Sequence, residues 1–362
     1  MLSSPKRGRS SSEGCDDFPI AVITGGTGIV GSALILQLAS DLPSFKLIVL
    51  TRRPEQIRSL NVSSVLADIE YPDLGLDPDF RALLGRRTRL IIHCAADTRF
   101  NLPIEQSRRT NTEGTRHVLN LAQSCPHLQQ FAHISTLYIA GRRKGLVTEG
   151  ALQHDAGYVN TYEEAKHEAE ELVLRRSGLV PVGIYRLSSV IDEAGNSGHL
   201  RQLIRFVRWC NQFPFFPADA SVPVDLITSK WAARALSALI SRHFTPGCFR
   251  HICAGEASAL PLGTILEAVF KAHEASSDSI VRRPELIPMS RYESLFRHLP
   301  RDGGVARAMS SFMTFIPHLS VAQPFDCTFT DKLLQASGVC RPDSNVLHRV
   351  LADEFSCAEL TA

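Results

Sequence analysis

The chain has 362 residues, 44% of them hydrophobic and 21% charged, enough to bury the core of one large α/β domain or of one domain with a smaller companion. Its 39 basic and 37 acidic residues leave a net charge of +2, so no global field selects a nucleic acid or an anionic membrane surface. The nine cysteines contain no CxxC pair and are odd in number, which argues against a disulfide framework or a structural zinc site and for a reducing compartment.

Residues 1–17 carry Ser3, Ser4, Ser10, Ser11 and Ser12 with Lys6, Arg7 and Arg9, and no apolar stretch follows. They read as a disordered tail rather than a secretory signal. No apolar run approaches the roughly 18 to 20 residues that span a bilayer, so a soluble, cytoplasmic protein is expected.

From Pro19 to Arg186 short apolar runs alternate with amphipathic stretches, the pattern of βαβ units around a parallel sheet. Strands are expected at Ile20–Thr24, Lys46–Thr51, Val62–Leu66, Leu90–Cys94, Gln130–Ser135 and Val180–Arg186, with helices starting near Gly28, Pro54, Asp79, Pro103 and Tyr158. The fold class that follows is α/β: a Rossmann-type doubly wound parallel sheet over residues 18–195, then a smaller substrate-binding region over 196–362 that returns elements such as 222–253 to the first domain. In that second region a helix is expected from Gly198 to Cys210 and another from Ser229 to Ile240. Arg201, Arg205 and Arg208 share a face of the first, as a solvated surface or a contact for phosphates. Phe206, Trp209, Phe213, Phe215 and Phe216 serve either as core or as an acyl pocket, core being the better reading.

Gly25, Gly28 and Gly31 are spaced G-x-x-G-x-x-G between an apolar strand and an amphipathic helix. Glycine belongs where a chain turns sharply and backbone amides must meet a pyrophosphate, so a dinucleotide is expected there, touching Gly25, Thr27, Gly28, Ile29 and Val30. The second strand ends in Arg52 and Arg53, where an NAD site usually places a carboxylate. A guanidinium suits a 2′-phosphate, which favours NADP. Asp68, with Ile69, follows the third strand and can accept the adenine amino group, while Ala95 and Ala96 let backbone approach the cofactor. His93, alone at a strand end, reads better as hydrogen-bonded structure than as a ligand.

Tyr162 and Lys166 are four residues apart on a predicted helix and so share a face. A phenol titrates near pH 10, and a neighbouring ammonium lowers that value by about 1 to 3 units. Thr136, at the end of the fifth strand, is the expected partner on a substrate oxygen, with Ser135 as alternate because strand alternation aims the two at opposite faces. The three side chains specify hydride transfer at a carbonyl carbon: Thr136 and Tyr162 stabilise the oxyanion, Tyr162 exchanges the proton, and Lys166 tunes tyrosine and cofactor. No HExxH spacing is present and no metal is expected.

These motifs resemble the extended short-chain dehydrogenase/reductase superfamily, and within it the thioester reductase and fatty acyl reductase branch of male-sterility type. The resemblance spans about residues 19–240. It rests on the glycine loop, the segment Ala67 to Leu76 after the third strand, His93 to Ala96, Asn111 to Thr115, Ile134 to Thr136, and Tyr162 through Lys166; Leu187 stands where the family usually has proline. It implies that Asn111 joins the cofactor residues and that Thr136, Tyr162 and Lys166 are catalytic. The implied reaction is NADPH reduction of an acyl thioester to an aldehyde, or onward to an alcohol. A chain of this size is expected to hold no activating domain, so the thioester arrives ready-made on coenzyme A or a carrier protein. Two other readings compete: an NAD(P)-dependent epimerase, dehydratase or hydroxysteroid-type dehydrogenase on the same fold, and a cofactor-sensing protein without turnover, for which a proton donor would be superfluous.

Overall fold

The computed structural model describes residues 18–54, 61–153, 155–192, 215–256, 258–276, 282–296 and 323–341. The helix expected at Gly198–Cys210, with Arg201, Arg205 and Arg208, and most of the helix expected after Pro54 lie outside these residues.

The chain runs β1 (Ile20–Thr24), α1 (Ile29–Asp41), β2 (Lys46–Thr51), β3 (Val62–Leu66), α2 (Pro78–Arg87), β4 (Thr88–His93), α3 (Ile104–Arg108), α4 (Gly114–Gln123), β5 (Gln130–Thr136), α5 (Thr161–Arg175) and β6 (Val182–Leu187). It continues with β7 (Ser189–Ile191), β8 (Phe215–Pro217), β9 (Pro223–Val224), β10 (Leu226–Thr228), α6 (Ser229–Arg242), β11 (Cys248–Ile252), β12 (Leu260–Pro261), α7 (Leu262–Ser276), β13 (Glu285–Ile287), α8 (Met289–Phe296) and α9 (Thr328–Ala336). The central sheet has seven parallel strands in the order β11-β6-β5-β4-β1-β2-β3. This is the doubly wound architecture expected from the sequence.

Side-chain alternation distributes each strand between two cores. On β1, Ala21 and Ile23 face one layer with Leu34 and Leu38 of α1 and Trp231, Leu236 and Leu239 of α6. Ile20 and Val22 face the other, with Leu84 of α2 and Val118, Leu119 and Leu121 of α4. Both faces are apolar because both are covered, which is why the strands read as continuous hydrophobic runs. The break in pattern after Arg186 conceals β11, which pairs with β6 and puts residues 248–252 back into the sheet. Arg186 itself is fully buried: Nε and Nη2 donate to Glu170 at 3.0 and 2.8 Å, and Nη1 donates to the carbonyl of Gly150 at 2.8 Å.

The segment after β3 is held by local geometry. Asp73 (φ 53°) and Leu74 (φ 61°) adopt left-handed backbone, each costing on the order of 1 kcal/mol or more for a residue with a Cβ. Burial of the Leu74 side chain and the bond from Asp68 N–H to the Leu74 carbonyl (3.0 Å) offset that cost and fix Asp68 and Ile69 at the strand end.

Candidate active site

A cavity of about 450 Å³ lies at the carboxyl ends of the central strands, a size within the range of cofactor and ligand sites. At one end is the loop between β1 and α1. Gly25 has φ +74°, and a Cβ there would stand 2.5 Å from the backbone of Ala95. A Cβ on Gly28 would meet only the Gly25 carbonyl, at 3.4 Å, so the start of α1 is open toward the cavity with its unpaired amides. These features fit a pyrophosphate.

Gly25, Thr27, Gly28, Ile29, Val30, Arg52, Asp68, Ile69, Ala95 and Ala96 all line the cavity, as the sequence predicts. Arg53 and Asn111 do not line it. Arg53 gives its backbone N–H to Thr51 Oγ1 at 3.1 Å. Asn111 is buried and clamps the loop beyond Ala96: its Oδ1 accepts from Asp97 N–H at 2.8 Å and its Nδ2 donates to the Asp97 carbonyl at 3.0 Å. These bonds fix the loop that borders the cavity.

His93 is structural, and its tautomer follows from a hydroxyl having one proton. Thr115 donates its proton to the Asn111 carbonyl (2.6 Å), so it accepts from His93 Nε2–H at 3.0 Å. His93 Nδ1 then accepts from the Thr24 hydroxyl at 2.8 Å, and Thr24 Oγ1 in turn accepts from Ala95 N–H at 3.3 Å. Burial, aided by the Lys166 charge, lowers the His93 pKa to about 3, consistent with a neutral ring.

The opposite end of the cavity holds Ser135, Thr136, Tyr162 and Lys166. Asn160 caps α5, accepting from Glu163 N–H at 3.0 Å, while Glu163 Oε2 accepts from Val159 N–H at 2.8 Å. This cap sets Tyr162 and Lys166 on the first turn and a half of the helix. Tyr162 is buried, its ring stacked on Phe100 at 5.4 Å, and Thr136 borders the same cavity beside it. Thr136 Oγ1 also accepts from Tyr138 N–H at 3.2 Å.

Two expectations are corrected here. Ser135 and Thr136 both border the cavity, because the crevice wraps around the end of β5; the Ser135 hydroxyl is buried with no protein partner among the described residues. And Lys166 does not lower the Tyr162 pKa. Its ammonium donates to the Ile134 carbonyl at 2.9 Å and contacts His133 Nε2 at 3.4 Å. Burial therefore raises the Tyr162 pKa above the ordinary phenol range, with Thr136 opposing it, and burial lowers that of Lys166 to about 8.

The sequence reading passes over Phe100 and Tyr138, which also line the cavity. Tyr138 is the informative one: its hydroxyl meets Ser189 Oγ at 2.6 Å and its ring packs edge-on against Phe100.

Residues 57–236 match the family model described as "Male sterility protein". Over those residues the chain is similar to this male-sterility-type NAD-binding family. "Putative fatty acyl-CoA reductase CG8303" of Drosophila melanogaster is 24% identical over 328 residues, covering 72% of this chain and 58% of the relative. The chain thus spans less than two thirds of the length of the curated relatives it matches first. Among solved structures, the terminal R domain from the myxalamid PKS-NRPS biosynthetic pathway has a TM-score of 0.74 at 20% identity, with 96% of this chain and 91% of that one covered. A UDP-galactose 4-epimerase has a TM-score of 0.64 at 14% identity, covering 95% and 100%. These likenesses show a shared fold, and the fold by itself selects no chemistry.

Proposed function

We propose that the protein is an NADPH-dependent reductase that converts an acyl thioester, carried on coenzyme A or a carrier protein, to an aldehyde. The observation that carries this reading is that Thr136, Tyr162 and Lys166 line the same cavity that the glycine loop opens onto. The names of the relatives, fatty acyl-CoA reductases, agree with it.

Gly25 through Val30 would hold the pyrophosphate of the cofactor, Asp68 and Ile69 its adenine end, and Arg52 a 2′-phosphate. When bound, a reduced nicotinamide supplies the hydride. The residues supply the rest. Thr136 has one hydroxyl proton, and its oxygen already accepts from Tyr138, so that proton is available to a substrate oxygen. Tyr162 is the second donor. Its raised pKa keeps the phenol loaded with a proton at neutral pH, which is what reduction requires of an acid. Two donors on one oxygen stabilise the tetrahedral oxyanion where burial makes each hydrogen bond count for more than in water. Lys166, which donates to the Ile134 carbonyl, would bond the nicotinamide ribose. Phe100 and Tyr138 cover the pair and keep water from it. A thioester carbonyl has weak resonance with sulfur, so hydride adds without prior activation; the hemithioacetal then expels a thiolate and leaves the aldehyde.

The test is purified protein with NADPH and a panel of acyl thioesters, products identified by mass and free thiol titrated. Aldehyde with released thiol is expected. NADPH oxidation on ketones or sugars, with no thiol released from any thioester, would move the protein to the dehydrogenase or epimerase reading.

A further inference from the structure

On β5 the side chains alternate between the two cores, with Ala132 and Ile134 facing one of them. Phe131 faces the other, and His133 shares its side of the strand. The lateral neighbours of His133 are His93 on β4 and Ile184 on β6. His133 is completely buried, and its ring lies 5.5 Å from that of His93. A covered strand places apolar residues on such a face, as at Phe131 and Ile184, so a histidine there needs a reason.

The two ring nitrogens differ in their surroundings. Nδ1 has no partner among the described residues, whereas Nε2 stands 3.4 Å from Lys166 Nζ. His93 offers no bond to it, because both His93 nitrogens are taken by Thr24 and Thr115. The direction of the contact follows from what the lysine can give. An ammonium has three N–H donors and no lone pair. One goes to the Ile134 carbonyl at 2.9 Å, and a second is accepted at His133 only if Nε2 carries no proton. The third is left for the cavity, whose wall Lys166 lines.

We propose that His133 is a positioning residue for Lys166: as the neutral Nδ1–H tautomer it accepts a hydrogen bond at Nε2 and, with the Ile134 carbonyl, aims the remaining N–H at the cofactor. The proposal rests on the cofactor role given to Lys166 above. It also gives His133 an electrostatic effect, since an acceptor at Nε2 favours the charged lysine against the burial that lowers it. The other groups facing the ammonium are neutral or committed. Cys94, at the end of β4, is a thiol that burial keeps protonated, and Tyr162, one turn back on α5, is a neutral phenol. Glu170, one turn on, favours the lysine charge while bonded to Arg186 of β6. Burial and the lysine charge hold His133 well below the usual histidine range, so the ring is neutral whenever Lys166 is charged.

Nitrogen NMR of the histidine-labelled full chain reads the tautomer directly, with the His133 signal identified by its loss in H133Q. In the wild type at neutral pH a ring protonated on Nδ1 alone is expected; a proton on Nε2 overturns the proposal. Two variants then separate positioning from packing. Glutamine sets an amide oxygen where Nε2 stands, whereas asparagine reaches only to Nδ1. NADPH affinity, followed by fluorescence across neutral and alkaline pH, should bend downward near pH 8 in the wild type as Lys166 loses its charge. H133Q should keep that bend, and H133N should move it down by about one unit, the worth of one hydrogen bond to a charged group. Should H133N fail to fold in thermal unfolding, H133L fills the space without an acceptor and is expected to show the same displacement. A bend that stays in place without the acceptor, or that moves equally in H133Q, overturns the proposal and returns His133 to packing. None of these readings needs a substrate: the expected tautomer and bends with no reduction of any thioester support the role of His133 and overturn only the chemistry above.

Discussion

Replacement of Tyr162 by Phe isolates the proton from everything else the residue does. The ring that stacks on Phe100 at 5.4 Å is kept, so no cavity opens. Only the hydroxyl leaves, and Thr136 Oγ1 still accepts from Tyr138 N–H. The cost in stability is at most about 1 kcal/mol, the net worth of one buried neutral hydrogen bond. The cost in catalysis is larger. A positioned acid contributes about 10² to 10⁴ in rate, which corresponds to about 3 to 5 kcal/mol of barrier. Single-turnover reduction, cofactor binding by fluorescence and thermal unfolding should therefore separate cleanly: hydride transfer slowed by that factor, cofactor affinity within about twofold of wild type, and a small fall in Tm. Near wild-type turnover would remove Tyr162 as the proton donor. Loss of cofactor binding in step with turnover would make it a structural residue instead.

Arg52→Ala should reduce kcat/KM for NADPH by about 10- to 100-fold and leave NADH use little changed, since only NADPH carries a phosphate for that guanidinium; equal losses with both would return the arginine to solvent. Glu170→Ala strands the buried Arg186 charge and should destabilise the fold by about 3 to 5 kcal/mol in denaturant unfolding, against a smaller effect at the exposed Glu171. Lys166, lowered by burial to about 8 from an unfolded value near 10.4, loses its charge as pH rises through 8, so kcat/KM should fall above that pH while Tyr162 stays protonated. The same shift means that the unfolded state holds the extra proton between about pH 8 and 10, and over that window the group's contribution to stability improves with pH.

The parts of the fold legible in the sequence are those where one physical cause dominates. β1 and β2 match their expected bounds because each is a short apolar run closed by polar or turn residues and buried on both faces. β3, at the sheet edge, matches too, with only Val62 buried. β11 is not assigned bounds of its own, because Arg250 and His251 interrupt its apolar pattern at the sheet edge, but it lies within the 222–253 stretch expected to return to the first domain. The glycine loop, Thr136, Tyr162 and Lys166 are legible because their chemistry fixes residue type and spacing together. Asn111 and Arg53 show the limit of that logic, since a motif names residues near a site without saying which side chains face it. Phe100 and Tyr138 lie on loops, where no periodicity reports direction; only the tertiary path of the chain brings them to the cavity. The direction of the Tyr162 shift was likewise beyond a local reading, because helical spacing places Lys166 on the same face but says nothing of the Ile134 carbonyl that accepts its hydrogen bond.

The central claim is that a thioester carbonyl receives the hydride and then loses its thiol, and the most direct measurement is one turnover with NADPH deuterated at the transferring position. The account predicts one free thiol per NADPH oxidised in the first step and an aldehyde carrying one deuterium on its former carbonyl carbon. Deuterium retained on the nicotinamide, or transferred to a product while the thioester stays intact, would contradict it.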